Sequence, residues 1–150
     1  LTQPPIETNN RGQIRHYRIG PAQRGLNAAS YTHHVESFEG NGLRPYAPVH
    51  LRQETKATGD IEVTWIRRAR MDADSWDGFE VPLGEENESY LLRIRRAGST
   101  MREVQVFETR WQYQSDDQMA DGGVSGLEVD VAQISAVFGP GPFRSMALEA

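Results

Sequence analysis

Two segments with alternating side chains decide the fold of this chain: Ile61-Glu62-Val63-Thr64-Trp65 and Tyr90-Leu91-Leu92-Arg93-Ile94. Successive side chains of a β-strand point to opposite faces, so the apolar residues of each segment share one face. We predict that this face is core, and that Arg93 and Arg95 lie on the opposite face, towards water. The pattern indicates two strands of one sheet, joined by the long connection from Arg67 to Glu88.

Further alternating segments lie on both sides of this pair. They contain Val49 and Leu51, Val104 and Val106, Leu127 to Ser135, and Phe143 to Leu148. Glycine and proline turn signals separate them. The pattern predicts a loop or one turn of helix over Gln114 to Gly123, and a helical turn or an irregular hairpin between Ala22 and Gly42. Many short strands without a long amphipathic helix predict an all-β antiparallel sandwich with at most one short helix.

Pro45 and Pro48 mark the clearest boundary, because two close prolines fix extended backbone and do not fit a central strand. We predict an irregular N-terminal extension or the end of a preceding domain over residues 1–46, and the sandwich over residues 47–150. Within the extension, Gln13 to Ile19 alternates as one short strand.

Composition excludes several function classes. The 150 residues carry a net charge of -5, which argues against a general nucleic-acid binder, because phosphate binding needs clustered cations. Cysteine is absent, so thiol catalysis, cysteine metal sites and disulfides are excluded. No apolar run approaches the roughly 20 residues that span a bilayer, and no signal-peptide pattern precedes the fold. The missing initiator Met suggests a fragment or a processed chain.

Motifs for metals and catalysis are weak. The stretch from Asp72 to Gly78 is acidic like a calcium loop, but counting from Asp72 places Asp77 where an EF-hand has Gly and Leu83 where it has Glu. The four histidines have no carboxylate at ligand spacing, and neighbours in a strand point to opposite sides. They are His16, His33, His34 and His50. We therefore expect no metal and no cofactor.

Paired carboxylates also fail as a catalytic motif. Glu85-Glu86 and Asp116-Asp117 are neighbours in polar loops, whereas glycosidase chemistry needs two carboxyl groups facing each other across a bond. No nucleophile elbow or phosphate loop is present either. We expect no enzymatic activity.

Recognition is better supported by the residue types. Aromatic and arginine side chains anchor interfaces, and six of them lie in or beside loops. These partner-binding candidates are Tyr46, Trp76, Phe79, Arg67, Arg68 and Arg70. Two other accounts stay open: the aromatic rings cover the ends of the sandwich, and the arginines pair with Glu residues across the sheet.

The order of the segments resembles a fibronectin type III module. The family has a proline-led first strand, a Trp on the second, a Tyr-led third strand and an alternating strand before a Gly-x-Gly turn. Pro48, Trp65, Tyr90, Val129 to Ser135 and Gly139 match these places, over about the last two thirds of the chain. The connection Arg67 to Glu88 and the insertion Trp111 to Gly123 depart from the family.

A second resemblance rests on four segments: Gly42 to Arg52, Trp65 to Arg70, Asp74 to Trp76 and Val81 to Glu86. They are similar to the C-terminal region of the host-specificity protein of gene transfer agents and long-tailed phages. The resemblance implies a baseplate component at the tip of a phage-like tail, associated with attaching tail fibres. That family's glycosidase-like barrel lies elsewhere, so its chemistry does not extend to this chain.

Two function classes follow. The first is a structural adaptor with baseplate, tail-hub and tail fibre proteins as partners, trimeric within the assembled tail and assembled in the bacterial cytoplasm. The alternative is a carbohydrate-binding module that touches a cell-surface glycan, with Trp76 and Phe79 stacking on sugar rings.

Overall fold

The computed structural model describes residues 7–25, 27–69 and 83–149. The chain divides into two compact units, Leu1–Gly42 and Leu43–Ala150. The predicted boundary after residue 46 therefore falls inside the second unit. There, Pro45 and Pro48 are buried and lead into the first strand of that unit.

The first unit contains an antiparallel hairpin. Strands β1 (Ile14–Ile19) and β2 (Thr32–Ser37) pair from Ile14 opposite Ser37 to Ile19 opposite Thr32. The strand predicted over residues 13–19 is confirmed. A 3-10 turn, Thr8–Asn10, precedes it.

The second unit is a sandwich of two antiparallel sheets, and the predicted all-β, fibronectin type III-like fold is confirmed. Its elements are β3 (Val49–Thr55), β4 (Ile61–Ile66), β5 (Tyr90–Arg96), β6 (Ser99–Val106), β7 (Arg110–Tyr113), α1 (Ser115–Ala120), β8 (Leu127–Ser135), β9 (Gly139–Pro140) and β10 (Arg144–Ala147). The first sheet has the order β3-β4-β7, and the second has the order β10-β8-β5-β6, with β9 beside β8.

The prediction that the two deciding segments belong to one sheet is wrong. Strand β4 lies in the three-stranded sheet and β5 in the five-stranded sheet. Both turn their apolar face to a shared core, and alternation reports only which face is buried. The pattern is the same for two strands side by side and for two strands that face each other across a core. Trp111 and Tyr113 belong to β7, which pairs with β4.

The predicted core face is confirmed. Trp65 of β4 and Tyr90 of β5 are buried, and their rings meet edge to face with centroids 5.1 Å apart. Other buried members of this core come from both sheets, which is what closes the sandwich. They include Ile61, Val63, Leu92, Ile94, Tyr113, Val129 and Val131.

Arg93 and Arg95 lie on the outer face, as predicted, but are half-buried by ion pairs with neighbouring strands. The Arg93 Nε atom is 2.6 Å from Glu103 of β6, and Arg95 pairs with the buried Asp130 of β8. Arg93 also lies over the Phe143 ring, 4.5 Å from its centroid. Opposite charges on neighbouring strands stabilise the pairing and keep this face polar.

Two close contacts join segments of the second unit that are distant in sequence. The Gln53 amide on β3 donates to the Glu149 carbonyl at 2.8 Å and accepts from the Glu149 N–H at 3.0 Å. Gly141 approaches the backbone of Pro45 so closely that an added Cβ would overlap the Pro45 carbonyl oxygen.

Gly141→Ala should therefore lower the free energy of unfolding by about 1–3 kcal/mol, because the new methyl group meets rigid backbone. Urea denaturation followed by tryptophan fluorescence measures this change. Gly42→Ala is the matched control, since nothing lies within 4 Å of its added Cβ. Equal stability of the two variants would contradict the close approach at Gly141.

Candidate functional site

Two of the predicted partner-binding residues meet on the surface. Tyr46 lies just before β3 and Arg68 just after β4, and the pairing of Val49 with Ile66 brings these ends together. The Arg68 guanidinium lies over the Tyr46 ring, 5.0 Å from its centroid. Tyr46 is 44% exposed, and Ile66, two residues before Arg68, is 57% exposed. We call Tyr46, Ile66 and Arg68 the tyrosine–arginine patch.

The backbone explains how this patch forms. The ladder between β3 and β4 is irregular between Val49 and Arg52, and His50 there has a φ of 53°. A non-glycine residue in the left-handed region, beside a shift of register, indicates a β-bulge, which bends the strand. The bulge separates the regular part of β3 from the segment that carries Tyr46.

Arg67 has a different environment from Arg68. It is half-buried, and its charge acts on the phenol of Tyr90, which donates to Glu88 Oε1 at 2.7 Å. Burial, reinforced by the Glu88 carboxylate, raises the pKa of the Tyr90 phenol well above its ordinary value, whereas Arg67 acts in the opposite direction. The structure thus separates two neighbouring candidates: Arg68 faces outward, and Arg67 lies near the core.

The remaining candidates, Arg70, Trp76 and Phe79, lie outside the described residues. The acidic stretch from Asp72 to Gly78 does too. Their predicted roles stay predictions.

The hairpin of the first unit pairs two histidines. His16 Nδ1 and His33 Nε2 are 3.0 Å apart, and the rings are nearly parallel, with centroids separated by 5.2 Å. His34 lies opposite Tyr17 in the strand register. Sequence reasoning missed the pair because contact between His16 and His33 depends on the strand register.

Within residues 7–25, 27–69 and 83–149, no group of three or more His, Asp or Glu residues is arranged to hold a metal ion. The same ranges contain no helix with the length and apolar character needed to cross a membrane.

A polar cluster fastens α1 to the sheet end. Asp121, which is 8% exposed, accepts from the Tyr113 hydroxyl at 2.7 Å and from Arg102 Nε at 2.8 Å. Arg102 also lies 2.9 Å from Asp117 of α1. The Arg102 hydrogen bond is the main cause that holds the pKa of Asp121 below its ordinary value. This cluster was not predicted, since its members come from three elements that are separate in sequence.

Asp60 fixes the other end of α1. Its carboxylate accepts from the Ser115 N–H, the Thr58 hydroxyl and the Gln112 amide, each at 2.8 Å. The hydrogen bond from the Ser115 N–H is the main reason that the pKa of Asp60 lies below its ordinary value. These three hydrogen bonds hold the start of α1 in place, so we assign Asp60 a structural role and not a reactive one.

No family model matches the chain, and no curated protein sequence matches it. Solved structures similar to it include domains d3–d4 of the rat CD45 extracellular region, at 9% identity and TM-score 0.45, covering 99% of this chain and 70% of that one. The FN1–FN3 domains of chicken CNTN1 are similar at 19% identity and TM-score 0.48, covering 91% and 43%.

An endonuclease/exonuclease/phosphatase from Beutenbergia cavernae DSM 12333 is similar at 11% identity and TM-score 0.37, covering 89% of this chain and 34% of that one. The chain thus spans less than half the length of the second and third of these structures. At such identities and TM-scores the likenesses carry no argument about function, and the expected lack of enzymatic activity stays a prediction.

Acid should destabilise the second unit through Asp121. A carboxylate with a lowered folded-state pKa contributes stability above its unfolded pKa of about 3.9, and that stability is lost as pH falls through the folded pKa. Asp121→Asn should lower the unfolding free energy at pH 7 by about 2 kcal/mol and flatten its decline below about pH 4.

Urea denaturation at neutral and acidic pH measures both effects. The exposed Asp116, on the helix that Asp121 follows, provides the control: Asp116→Asn should leave stability nearly unchanged. If the unfolding free energy of Asp121→Asn depended on pH in the same way as that of the unmodified chain over the whole range, this role of Asp121 would be ruled out.

Proposed function

We propose that the module is a structural adaptor at the baseplate of a phage-like tail, where it attaches tail fibre proteins. The sequence resemblance to the C-terminal region of gene transfer agent and long-tailed phage host-specificity proteins supports this proposal. An all-β sandwich suits the role, because its rigid sheets hold loops and strand ends in fixed positions.

The tyrosine–arginine patch carries the proposal. Tyr46 and Arg68 come from two of the segments that bear the resemblance, and they meet on the surface at 5.0 Å. Aromatic and arginine side chains dominate binding energy at interfaces, and the exposed Ile66 at the end of β4 adds apolar area. A stacked guanidinium keeps free N–H groups at its edge, which suits a carboxylate or a backbone carbonyl of the fibre protein.

Attachment is proposed to occur within an assembled, trimeric tail tip in which baseplate and tail-hub proteins hold the module. Three copies would present three patches about one axis. Multivalent contact gives firm attachment even where each single contact is weak.

Replacing both Tyr46 and Arg68 by Ala in assembled particles should remove tail fibres. Loss of a central interface anchor costs about 2 kcal/mol, or roughly thirtyfold in affinity at each site. Quantitative mass spectrometry of purified particles counts fibre subunits, and electron microscopy shows whether density is lost at the tail tip.

Arg144→Ala is the matched control, because Arg144 is an exposed arginine on β10, away from the patch in sequence. Arg68→Lys keeps the charge but loses the planar stacking group, so an intermediate loss is expected. Particles of the double variant that keep a full set of fibres would refute the assignment of attachment to this patch.

A further inference from the structure

A groove of about 490 Å³ opens where β6 ends and β5 begins. Register places these elements side by side, since Leu91 of β5 lies opposite Gln105 of β6 and Ala132 of β8. The Ser89 carbonyl accepts the Ile134 N–H at 2.9 Å and fixes the floor. The groove is lined by Asn87, Glu88, Ser89, Gln105, Phe107, Ile134 and Ala136.

One wall of the groove is an exposed aromatic ring. Phe107 follows directly after β6 and is 67% exposed. A large apolar side chain that stays in water loses the stabilisation that burial would give it. The ring offers a flat apolar surface beside the polar groups of the groove.

The polar lining combines two free amides with one fixed carboxylate. Within the described part of the chain, neither Asn87 nor Gln105 makes a side-chain hydrogen bond, so both keep their donors and acceptors for a ligand. The Glu88 carboxylate is held in place by the Tyr90 hydroxyl at 2.7 Å and retains further acceptor capacity.

We propose that this groove binds a neutral sugar, as a mono- or disaccharide unit of a surface glycan. The C–H face of a pyranose ring would pack on Phe107, while its hydroxyls donate to Glu88 and exchange hydrogen bonds with the two amides. The volume falls within the range of small-ligand sites.

Charge selects against acidic sugars. Among the residues that the structure describes, the lining contains no arginine or lysine, and Glu88 would repel a carboxylate or a phosphate on the ligand. This site uses none of the residues of the tyrosine–arginine patch. The proposal therefore does not depend on fibre attachment, and either proposal can fail without the other.

The test is a titration of the full chain with glucose, galactose, mannose, N-acetylglucosamine and maltose, with glucuronic acid as the acidic comparison. The side-chain amide signals of Asn87 and Gln105 are followed by NMR. At least one neutral sugar should shift both signals saturably, and Phe107→Ala should weaken that binding about tenfold.

Two variants serve as controls. Met119→Ala removes an equally exposed apolar side chain, 69% exposed, that does not line the groove, and should leave the affinity unchanged. Glu88→Gln removes the charge that disfavours glucuronic acid, so it should reduce the difference in affinity between glucose and glucuronic acid.

Two results would overturn the proposal. One is the absence of any amide shift with all the neutral sugars, and loss of fibres from Phe107→Ala particles in that case would assign the groove to a protein partner. The other is a sugar affinity that Phe107→Ala leaves unchanged.

Discussion

The contact between Trp65 and Tyr90 is the interaction on which the rest of the second unit depends. The two rings come from different sheets, are almost completely buried, and meet edge to face at 5.1 Å. Large aromatic side chains each bury a large apolar area, so this one contact contributes a large share of the core. Because the two strands are anchored here, the chain must leave β4 and return into β5 at the same end of the sandwich.

The hydroxyl of Tyr90 connects this buried contact to a residue at the surface. A buried hydroxyl needs a partner, and Tyr90 finds it in Glu88, the residue that also lines the groove. Arg67 acts on the same phenol from the end of β4. The long connection therefore starts and ends beside one buried side chain, and the two proposed binding surfaces lie next to its two ends.

The sequence predicted the strands and their buried faces, but not which strands pair with each other. Alternation at Ile61 to Trp65 and at Tyr90 to Ile94 identified the buried faces, because burial acts on each strand separately. Assignment of β4 and β5 to one sheet failed, since sheet membership depends on non-local pairing. Residue type and a position in or beside a loop identified Tyr46 and Arg68 as separate candidates. Only the register of β3 against β4 showed that they meet. Gln105 and Phe107 gave no signal, because an isolated amide and an isolated aromatic residue are common at strand ends.

The double hydrogen bond between Gln53 and Glu149 has a mechanical consequence. Gln53 belongs to the three-stranded sheet, whereas β10, just before Glu149, belongs to the five-stranded sheet. Its amide binds both backbone groups of Glu149, as a neighbouring strand would. A pulling force applied at Glu149 is therefore shared between the two sheets, so that β10 cannot be peeled from β8 without also loading β3.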